Sequence, residues 1–255
     1  MSKWIETVRG LENCLICGDL FDEEVRGSWM VGLGENRRIC GTCAVNFLSI
    51  DKVSCDECGR PQLQENFYDE NGEKQLCLDC IRWRETPPWN SQPFLHRSLY
   101  VYNSFMHNII AQFKYRGDTE LASLFDKKLV KLAKNLGKFH FAVPIPLNNI
   151  RHWERGFNQA EVLAQHFFTK KLLARSEENL EKQSKLSREE LISALKNVFT
   201  FQGDKKDVSG KSILLIDDVY TTGATLRSAA TVLYEHGAKH VVAVTVARSV
   251  GREAR

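Results

Sequence analysis

Two adjacent carboxylates, Asp217 and Asp218, follow an unbroken apolar run, and a hydroxyl-rich loop comes shortly after them. The run, residues 213–216, predicts a central strand buried on both faces of a parallel sheet. Ligands of such sheets bind beyond the carboxyl ends of the strands, so the acid pair can meet sugar hydroxyls or a metal. The loop precedes a predicted helix whose free N–H groups and dipole favour an anion. These residues together suit a sugar phosphate. The loop residues are Thr221, Thr222, Gly223, Ala224 and Thr225.

Two alternative interpretations of this stretch fit its residues less well. In the first, a buried strand leads into a helix that Thr222 merely caps. Two ionised aspartates at a strand end need partners, which disfavours that interpretation. In the second, Gly210, Lys211 and Ser212 belong to an ATP-binding P-loop. A P-loop needs a glycine where Lys205 stands, and it needs a helix where the apolar strand begins.

Arginines follow a second predicted strand, residues 139–145, which ends in a proline-rich loop that we expect at the same edge of the sheet. Arg151 and Arg155 lie beyond that loop, and Gly156 allows the backbone to approach a ligand closely. Two guanidinium groups can hold a diphosphate through bidentate hydrogen bonds. The alternative is a helix that carries surface arginines.

All eight cysteines lie in the first 80 residues, as four CxxC pairs. CLICGDL at residue 14 resembles CDECGRP at residue 55, which indicates a tandem repeat with one four-cysteine site in each copy. Four thiolates close a tetrahedral zinc site and mark the metal as structural. We therefore predict two Zn²⁺ ions, although knuckles of this kind also pair in other ways. The two predicted sets are Cys14, Cys17, Cys40 and Cys43, and Cys55, Cys58, Cys77 and Cys80.

Disulfides and redox-active thiols are the alternatives to zinc in this segment. The first residues lack the apolar core of a secretion signal, so we expect a cytoplasmic protein, whose compartment keeps thiols reduced. Four pairs without a thioredoxin-like pattern favour metal over redox chemistry. The apolar runs are also far shorter than the ~20 residues of a membrane span, so none is expected.

Charge and proline content divide the chain. Residues 1–80 carry 8 Lys and Arg against 15 Asp and Glu, and the rest carry 27 against 17, which suits an anionic partner for the larger part. Pro87, Pro88 and Pro93 mark a boundary. We predict a cysteine-rich module over residues 1–83, a linker over 84–97 and an α/β domain over 98–255. That domain is expected to have strands at 98–102, 139–145, 213–216 and 241–247 and helices at 105–115, 121–136 and 224–236.

Lys114, Tyr115 and Arg116 end the first of these helices and combine cations with an aromatic ring. Such a group can pair with phosphates and stack on bases, which would suit single-stranded nucleic acid. The plainer interpretation is a helix end capped by Gly117, with cations near the negative end of the dipole.

The motifs together closely resemble those of the ComF family of competence proteins. The resemblance rests on the CxxC pairs, FKYRGD, VPIPL, the RxxERGFNQ pattern, EKQSKLSREE and IDDVYTTGAT, in this order along the chain. IDDVYTTGAT alone resembles the 5-phosphoribosyl-1-pyrophosphate (PRPP) motif of type I phosphoribosyltransferases. Tyr220 departs from that motif, since the family usually has a small aliphatic residue there, and this leaves the packing of the loop open.

The resemblance implies a type I phosphoribosyltransferase-like parallel sheet flanked by helices, with a small N-terminal double zinc-ribbon module. By position, Asp217 and Asp218 would meet the ribose hydroxyls and Mg²⁺, residues 221–225 would hold the 5′-phosphate, and Arg151 and Arg155 the diphosphate. The family also implies a role in natural transformation, beside single-stranded DNA, a helicase and other transformation proteins.

Three functions are compatible with these features. The protein could transfer phosphoribosyl groups in DNA uptake, could be a non-catalytic nucleic-acid or protein binding module that retains the pocket, or could be a nucleobase or amine phosphoribosyltransferase of nucleotide metabolism. No nucleobase signature identifies an acceptor.

Overall fold

The computed structural model describes residues 11–22, 38–61, 67–68, 71–115, 117, 119–176 and 198–250. Arg116 and the EKQSKLSREE motif lie outside these ranges. Within them, no helix is both long enough and apolar enough to cross a membrane.

The cysteine-rich segment consists of two similar units, as the tandem repeat predicts. The first contains strands β1 (Leu11–Asn13) and β2 (Leu20–Asp22) and helix α1 (Gly41–Ala44). The second contains β3 (Phe67–Tyr68), β4 (Gln75–Leu76) and α2 (Leu78–Arg84). Each unit has the same turn after its first cysteine, because Gly18 and Gly59 take positive φ and donate N–H bonds to the Cys14 and Cys55 carbonyls.

A four-stranded parallel sheet forms the centre of the larger part, with the order β5-β10-β9-β6. The two inner strands, β9 and β10, contain the longest apolar runs and are buried on both faces, as expected of a parallel sheet. The strands are β5 (Leu95–Val101), β6 (Phe141–Pro144), β9 (Ser212–Tyr220) and β10 (His240–Arg248).

Each strand differs from its predicted bounds by one or more residues, and the largest differences are at β5 and β9. β5 begins three residues early, inside the predicted linker, because buried polar residues hide its alternation: His96 and Ser98 face Thr245 of β10 through side-chain hydrogen bonds. β9 includes Asp217 and Asp218 instead of ending before them. It continues because β10 runs beside it as far as Tyr220.

Helices cover both faces of the sheet. The expected helices at 105–115 and 224–236 are present as α3 (Ser104–Tyr115) and α8 (Ala224–Glu235). The expected helix at 121–136 is divided into a 3₁₀ segment, Thr119–Leu124, and α4 (Asp126–Asn135). Leu121 and Leu124 are buried three residues apart, a spacing that fits the tighter 3₁₀ turn. The shorter elements are α5 (Asn149–Arg155), α6 (Gln159–Leu163), β7 (Leu173–Arg175), β8 (Phe199–Phe201) and α7 (Lys205–Val208).

The cysteine-rich units pack on opposite faces of the sheet. The first shares a core with α3 and α4, and the second shares a core with α8. Between them, residues 48–50 pair with the outer edge of β5 through Ile50 N–Leu99 O and Val101 N–Leu48 O bonds, so this edge is covered. The proline-rich segment is packed as well, since Trp89 and Phe94 are buried against the second unit.

Candidate functional site

A cavity of about 440 Å³ opens at the carboxyl end of the sheet. It exists because β9 extends four residues beyond the last pair that it forms with β6, Pro144 with Ile216. The end of β9 therefore pairs only with β10, and its other edge faces the loops that follow β6. The polar residues that line the cavity are Lys114, Arg151, Arg155, Asn158, Gln159, Arg175, Asp217, Asp218 and Thr225.

The two carboxylates of β9 differ in their surroundings. Asp218 is buried and forms an ion pair with Lys114, whose ammonium reaches it from the end of α3. Asp217 is half-buried, and its Oδ1 accepts the backbone N–H of Asp218 at 2.9 Å. The pKa of Asp217 is raised from 3.8 to about 8, because burial and the charge on Asp218 raise it by more than Lys114 lowers it. The raised pKa favours the protonated form of Asp217 in the free site near neutral pH.

We expect this raised pKa to be directly observable. Carbon-13 labelling of aspartate carboxyls should show one resonance, absent from Asp217→Asn, that titrates near pH 8 instead of near 4. Lys114→Met should move this titration to higher pH, because the ammonium favours the ionised form. A titration of Asp217 below pH 5 would contradict the electrostatics described here.

The loop between β9 and α8 combines a left-handed glycine with the start of a three-turn helix. Gly223 has φ +84°, and Ala224 begins α8. The first-turn N–H groups of a helix have no partner within the helix, and the dipole adds positive potential there. Thr225 lines the cavity, and Thr221 and Thr222 are exposed beside it. This end of the loop suits a phosphate.

Tyr220 is explained by packing beneath the loop. It is 3% exposed, its ring stacks on His96 at 4.1 Å, and the Arg248 guanidinium lies 4.7 Å from its centroid. A methyl group added at Gly223 would lie 2.2 Å from the Tyr220 hydroxyl, so the tyrosine and the glycine depend on each other. The tyrosine supports the loop from the side of the second cysteine unit.

Basic residues face the two carboxylates across the cavity. Arg151 and Arg155 are on α5, which Asn148 caps by accepting the Arg151 N–H at 2.8 Å. Arg155 also donates to the Gln159 side chain at 2.9 Å. Gly156 ends α5 with φ +74°, a left-handed conformation that favours glycine. No atom lies within 4 Å of an added Cβ, so the helix end explains this glycine and a lack of space does not.

Arg175 is a cavity residue that the sequence analysis missed. It lies on β7, with its guanidinium 5.7 Å from the Phe199 ring of β8. Burial lowers its pKa, Arg151 lowers it further and Asp217 raises it, which reflects its position between the two. No motif surrounds Arg175, and the antiparallel pairing of β7 with β8 brings it to the cavity.

The proposed nucleic-acid residues occupy different places. Lys114 is inside the cavity, and its use in nucleic-acid binding stays a prediction. Tyr115 is 74% exposed at the mouth, with the Arg155 guanidinium 5.4 Å from its ring. Trp153, on α5, is 89% exposed.

The cysteines assemble in the two predicted sets, with the sulfur atoms of each set within 4.8 Å of one another. Measured pairs are 3.7 Å for Cys17–Cys40 and 3.6 Å for Cys58–Cys77. These distances exceed a disulfide bond and match the roughly 3.8 Å between sulfurs of a tetrahedral zinc site with Zn–S bonds of about 2.3 Å. The N–H groups of Cys40 and Cys77 also donate to Sγ of Cys14 and Cys55, which stabilises thiolates. Both sets fit zinc.

Comparisons with known proteins agree with this architecture. A family model described as a phosphoribosyl transferase domain matches residues 154–255. The chain is 35% identical over 240 residues to the competence protein ComFC of Bacillus subtilis (strain 168), covering 92% of this chain and 95% of that protein. It is 31% identical over 238 residues to ComFC of Streptococcus pneumoniae, with 92% and 99% covered. A third relative, the DNA utilization protein YhgH of Escherichia coli (strain K12), is 26% identical over 215 residues, with 80% and 87% covered.

Proposed function

Because the chain belongs to the ComFC family of competence proteins and contains a phosphoribosyltransferase domain, we propose that it binds PRPP with Mg²⁺ and acts on or beside single-stranded DNA. The observation that carries the proposal is the cavity at the end of β9. It brings an acid pair, the first turn of α8 and a basic wall within reach of one small ligand.

Each part of PRPP has a suitable partner in this cavity. The 5′-phosphate would lie on residues 221–225, where the α8 dipole and hydroxyls favour it. The ribose hydroxyls would meet Asp217 and Asp218. The diphosphate would face the Arg151, Arg155 and Arg175 guanidinium groups, which stabilise charge that grows as this group leaves. In this proposal the arginines would stabilise the negative charge that a phosphoribosyl transfer develops.

The acid pair also fits Mg²⁺, since two carboxylate oxygens and a ligand diphosphate are the hard oxygen donors that this ion prefers. Mg²⁺ bound there would neutralise the diphosphate. Lys114 already places a positive charge on Asp218 in the described structure. We therefore infer that Lys114 occupies the metal's place beside Asp218 in the free site and moves aside when the metal-bound ligand enters.

Single-stranded DNA is the partner that the mouth of the cavity favours. Tyr115 offers an exposed ring next to the Arg155 cation, a pairing that binds bases and phosphates together. Residues 81–255 also carry an excess of positive charge. Other transformation proteins, a helicase among them, belong to the proposal as protein partners.

We expect DNA binding to depend on salt and on Tyr115. The log of affinity should fall with the log of salt concentration, by about 0.7 per phosphate neutralised, with little base preference. Tyr115→Ala should weaken oligonucleotide binding about ten-fold, since a stacked base contributes roughly 1–3 kcal/mol, and should leave the salt slope unchanged. Lys114→Ala should flatten the slope if Lys114 contacts phosphate.

Tyr68→Ala is the matched control, since Tyr68 is 59% exposed on the acidic cysteine-rich module. Fluorescence anisotropy with a labelled oligonucleotide measures all three variants. Equal losses for Tyr68→Ala and Tyr115→Ala, or binding that ignores salt, would contradict a DNA site at the mouth.

A linkage experiment separates an enzyme that acts on DNA or nucleotides from a binding module with a relict pocket. Arg155 serves both the cavity and Tyr115, so PRPP with Mg²⁺ should change DNA affinity, and DNA should change PRPP affinity by the same factor. Phosphorus NMR of the same mixtures would detect diphosphate release. DNA-dependent release of diphosphate without an equal amount of ribose 5-phosphate would establish transfer, whereas independent affinities without release would favour the binding module.

A further inference from the structure

The second cysteine set, Cys55, Cys58, Cys77 and Cys80, touches the phosphate loop through the helix that follows it. Trp83 is one turn beyond Cys80 on α2 and is 7% exposed. Its indole Nε1–H donates to the Thr222 carbonyl at 3.0 Å. This bond fixes the backbone in the middle of the loop.

Two buried arginines form the second link. Arg227 lies in the first turn of α8 and is 1% exposed, yet it donates to Glu57 at 3.2 Å and lies 3.7 Å from the Cys80 sulfur. Arg248, also 1% exposed, donates to the Cys58 carbonyl. A zinc ion bound by four thiolates has a net negative charge, which compensates these guanidinium groups. The charge on this cluster therefore helps to hold the helix that begins at the phosphate loop.

The first cysteine set provides an internal comparison. It lies on the opposite face of the sheet, where Arg38 reaches Glu120 at 2.6 Å and Ser123 at 3.3 Å. Its neighbours are α3 and α4, and its contacts within the described residues lead away from α8. The chain thus has two similar clusters, of which one supports the loop.

We propose that the second zinc site supports the binding of an anion at the loop. Metal at Cys55, Cys58, Cys77 and Cys80 and a phosphate ester at the loop stabilise each other. Trp83 is the positioning residue that joins the two sites. This rests on the proposed function, since it assumes that the loop holds the phosphate of a sugar phosphate. The direction of the effect follows from linkage: metal tightens phosphate binding, and phosphate tightens metal binding by the same factor. We expect the tighter metal binding to be observed as slower metal loss. The first site has no such effect.

Trp83→Phe tests the positioning role. It keeps an aromatic ring against Trp89 and removes the N–H donor to Thr222 together with part of the ring that the Arg227 guanidinium approaches at 5.4 Å. Affinity for ribose 5-phosphate, measured by calorimetry with Mg²⁺, should fall about five-fold, the size expected for one hydrogen bond. Zinc content should stay at two per chain.

Trp89→Phe is the matched control. Trp89 packs edge-to-face against Trp83 at 4.7 Å, it is 2% exposed, and its own Nε1 has no hydrogen-bond partner in the described structure. The same exchange there should leave ribose 5-phosphate affinity within two-fold of wild type. Equal affinities for the two variants would overturn the role of Trp83.

Thiol alkylation tests the metal coupling site by site. During slow chelation of the full-length protein, peptide mapping would follow N-ethylmaleimide labelling of both cysteine sets. Saturating ribose 5-phosphate should slow labelling of the second set at least five-fold and leave the first set unchanged. Equal protection of both sets, or of neither, would overturn the coupling. If the wild-type protein binds PRPP but ribose 5-phosphate does not protect the second cysteine set, the coupling fails and the proposed function stands. If the protein binds neither PRPP nor ribose 5-phosphate, both proposals fail.

Discussion

Replacing Asp217 and Asp218 together with asparagine should abolish the stabilisation that PRPP and Mg²⁺ give to the wild-type protein. Ligand at 100 times its dissociation constant should add about 2.7 kcal/mol to the free energy of unfolding, and the double variant should gain nothing. The reason is the loss of both carboxylates that would meet the ribose and the metal at the end of β9. Thermal unfolding with and without each component measures the effect.

The single variant Asp217→Asn tests whether the double variant fails to respond to PRPP only because it is unfolded. The folded protein raises the pKa of Asp217 from 3.8 to about 8. The folded state therefore keeps the proton that the unfolded chain loses above pH 4, and the stability contributed by this group falls as pH rises towards 8. Asparagine cannot ionise, so the single variant should be at least as stable as wild type at pH 8 without ligand. A variant that is destabilised at pH 8 and still responds to PRPP would contradict the assignment of the acid pair.

Gly223→Ala is expected to have the second large effect. Its Cβ would lie 2.2 Å from the Tyr220 hydroxyl oxygen and 2.7 Å from the ring, at a φ of +84° that residues with a side chain rarely adopt. Strain and overpacking each cost roughly 1–3 kcal/mol, so the free energy of unfolding should fall by about 3 kcal/mol. PRPP binding should weaken as well, because the loop must move away from the tyrosine.

Gly210→Ala separates these two causes. Gly210 also has positive φ, +70°, but nothing lies within 4 Å of an added Cβ. Urea unfolding should show a loss of only about 1 kcal/mol there, from backbone strain alone. Adding Tyr220→Leu to Gly223→Ala should recover part of the larger loss. Equal losses at the two glycines would show that Tyr220 does not constrain the loop.

Local sequence patterns predicted the parts of this site that lie close together in the chain. The acid pair, the threonine loop and the start of α8 are consecutive, and the cysteines recur as CxxC pairs, so each could be recognised before any fold was known. The central strand was equally clear, because an unbroken apolar run bounded by polar residues is typical of a strand inside a parallel sheet.

Residues brought in by tertiary packing could not be predicted in this way. Arg175 reaches the cavity because β7 pairs with β8. Lys114 ends a helix whose sequence indicated an exposed end, yet its ammonium forms an ion pair with Asp218 inside the cavity. Tyr220 departed from the family motif for a reason that required the second cysteine unit, which packs beneath the loop. The early start of β5 was missed because His96 and Ser98 are polar residues buried in a hydrogen-bonded cluster.

Titration calorimetry of PRPP into the wild-type protein, with and without Mg²⁺, tests the central claim most directly. We predict binding of one PRPP per chain that requires Mg²⁺, with ribose 5-phosphate and diphosphate each binding more weakly, because each fills only part of the cavity. Absence of binding with Mg²⁺ present, or a diphosphate affinity equal to that of PRPP, would contradict a PRPP site at the end of β9.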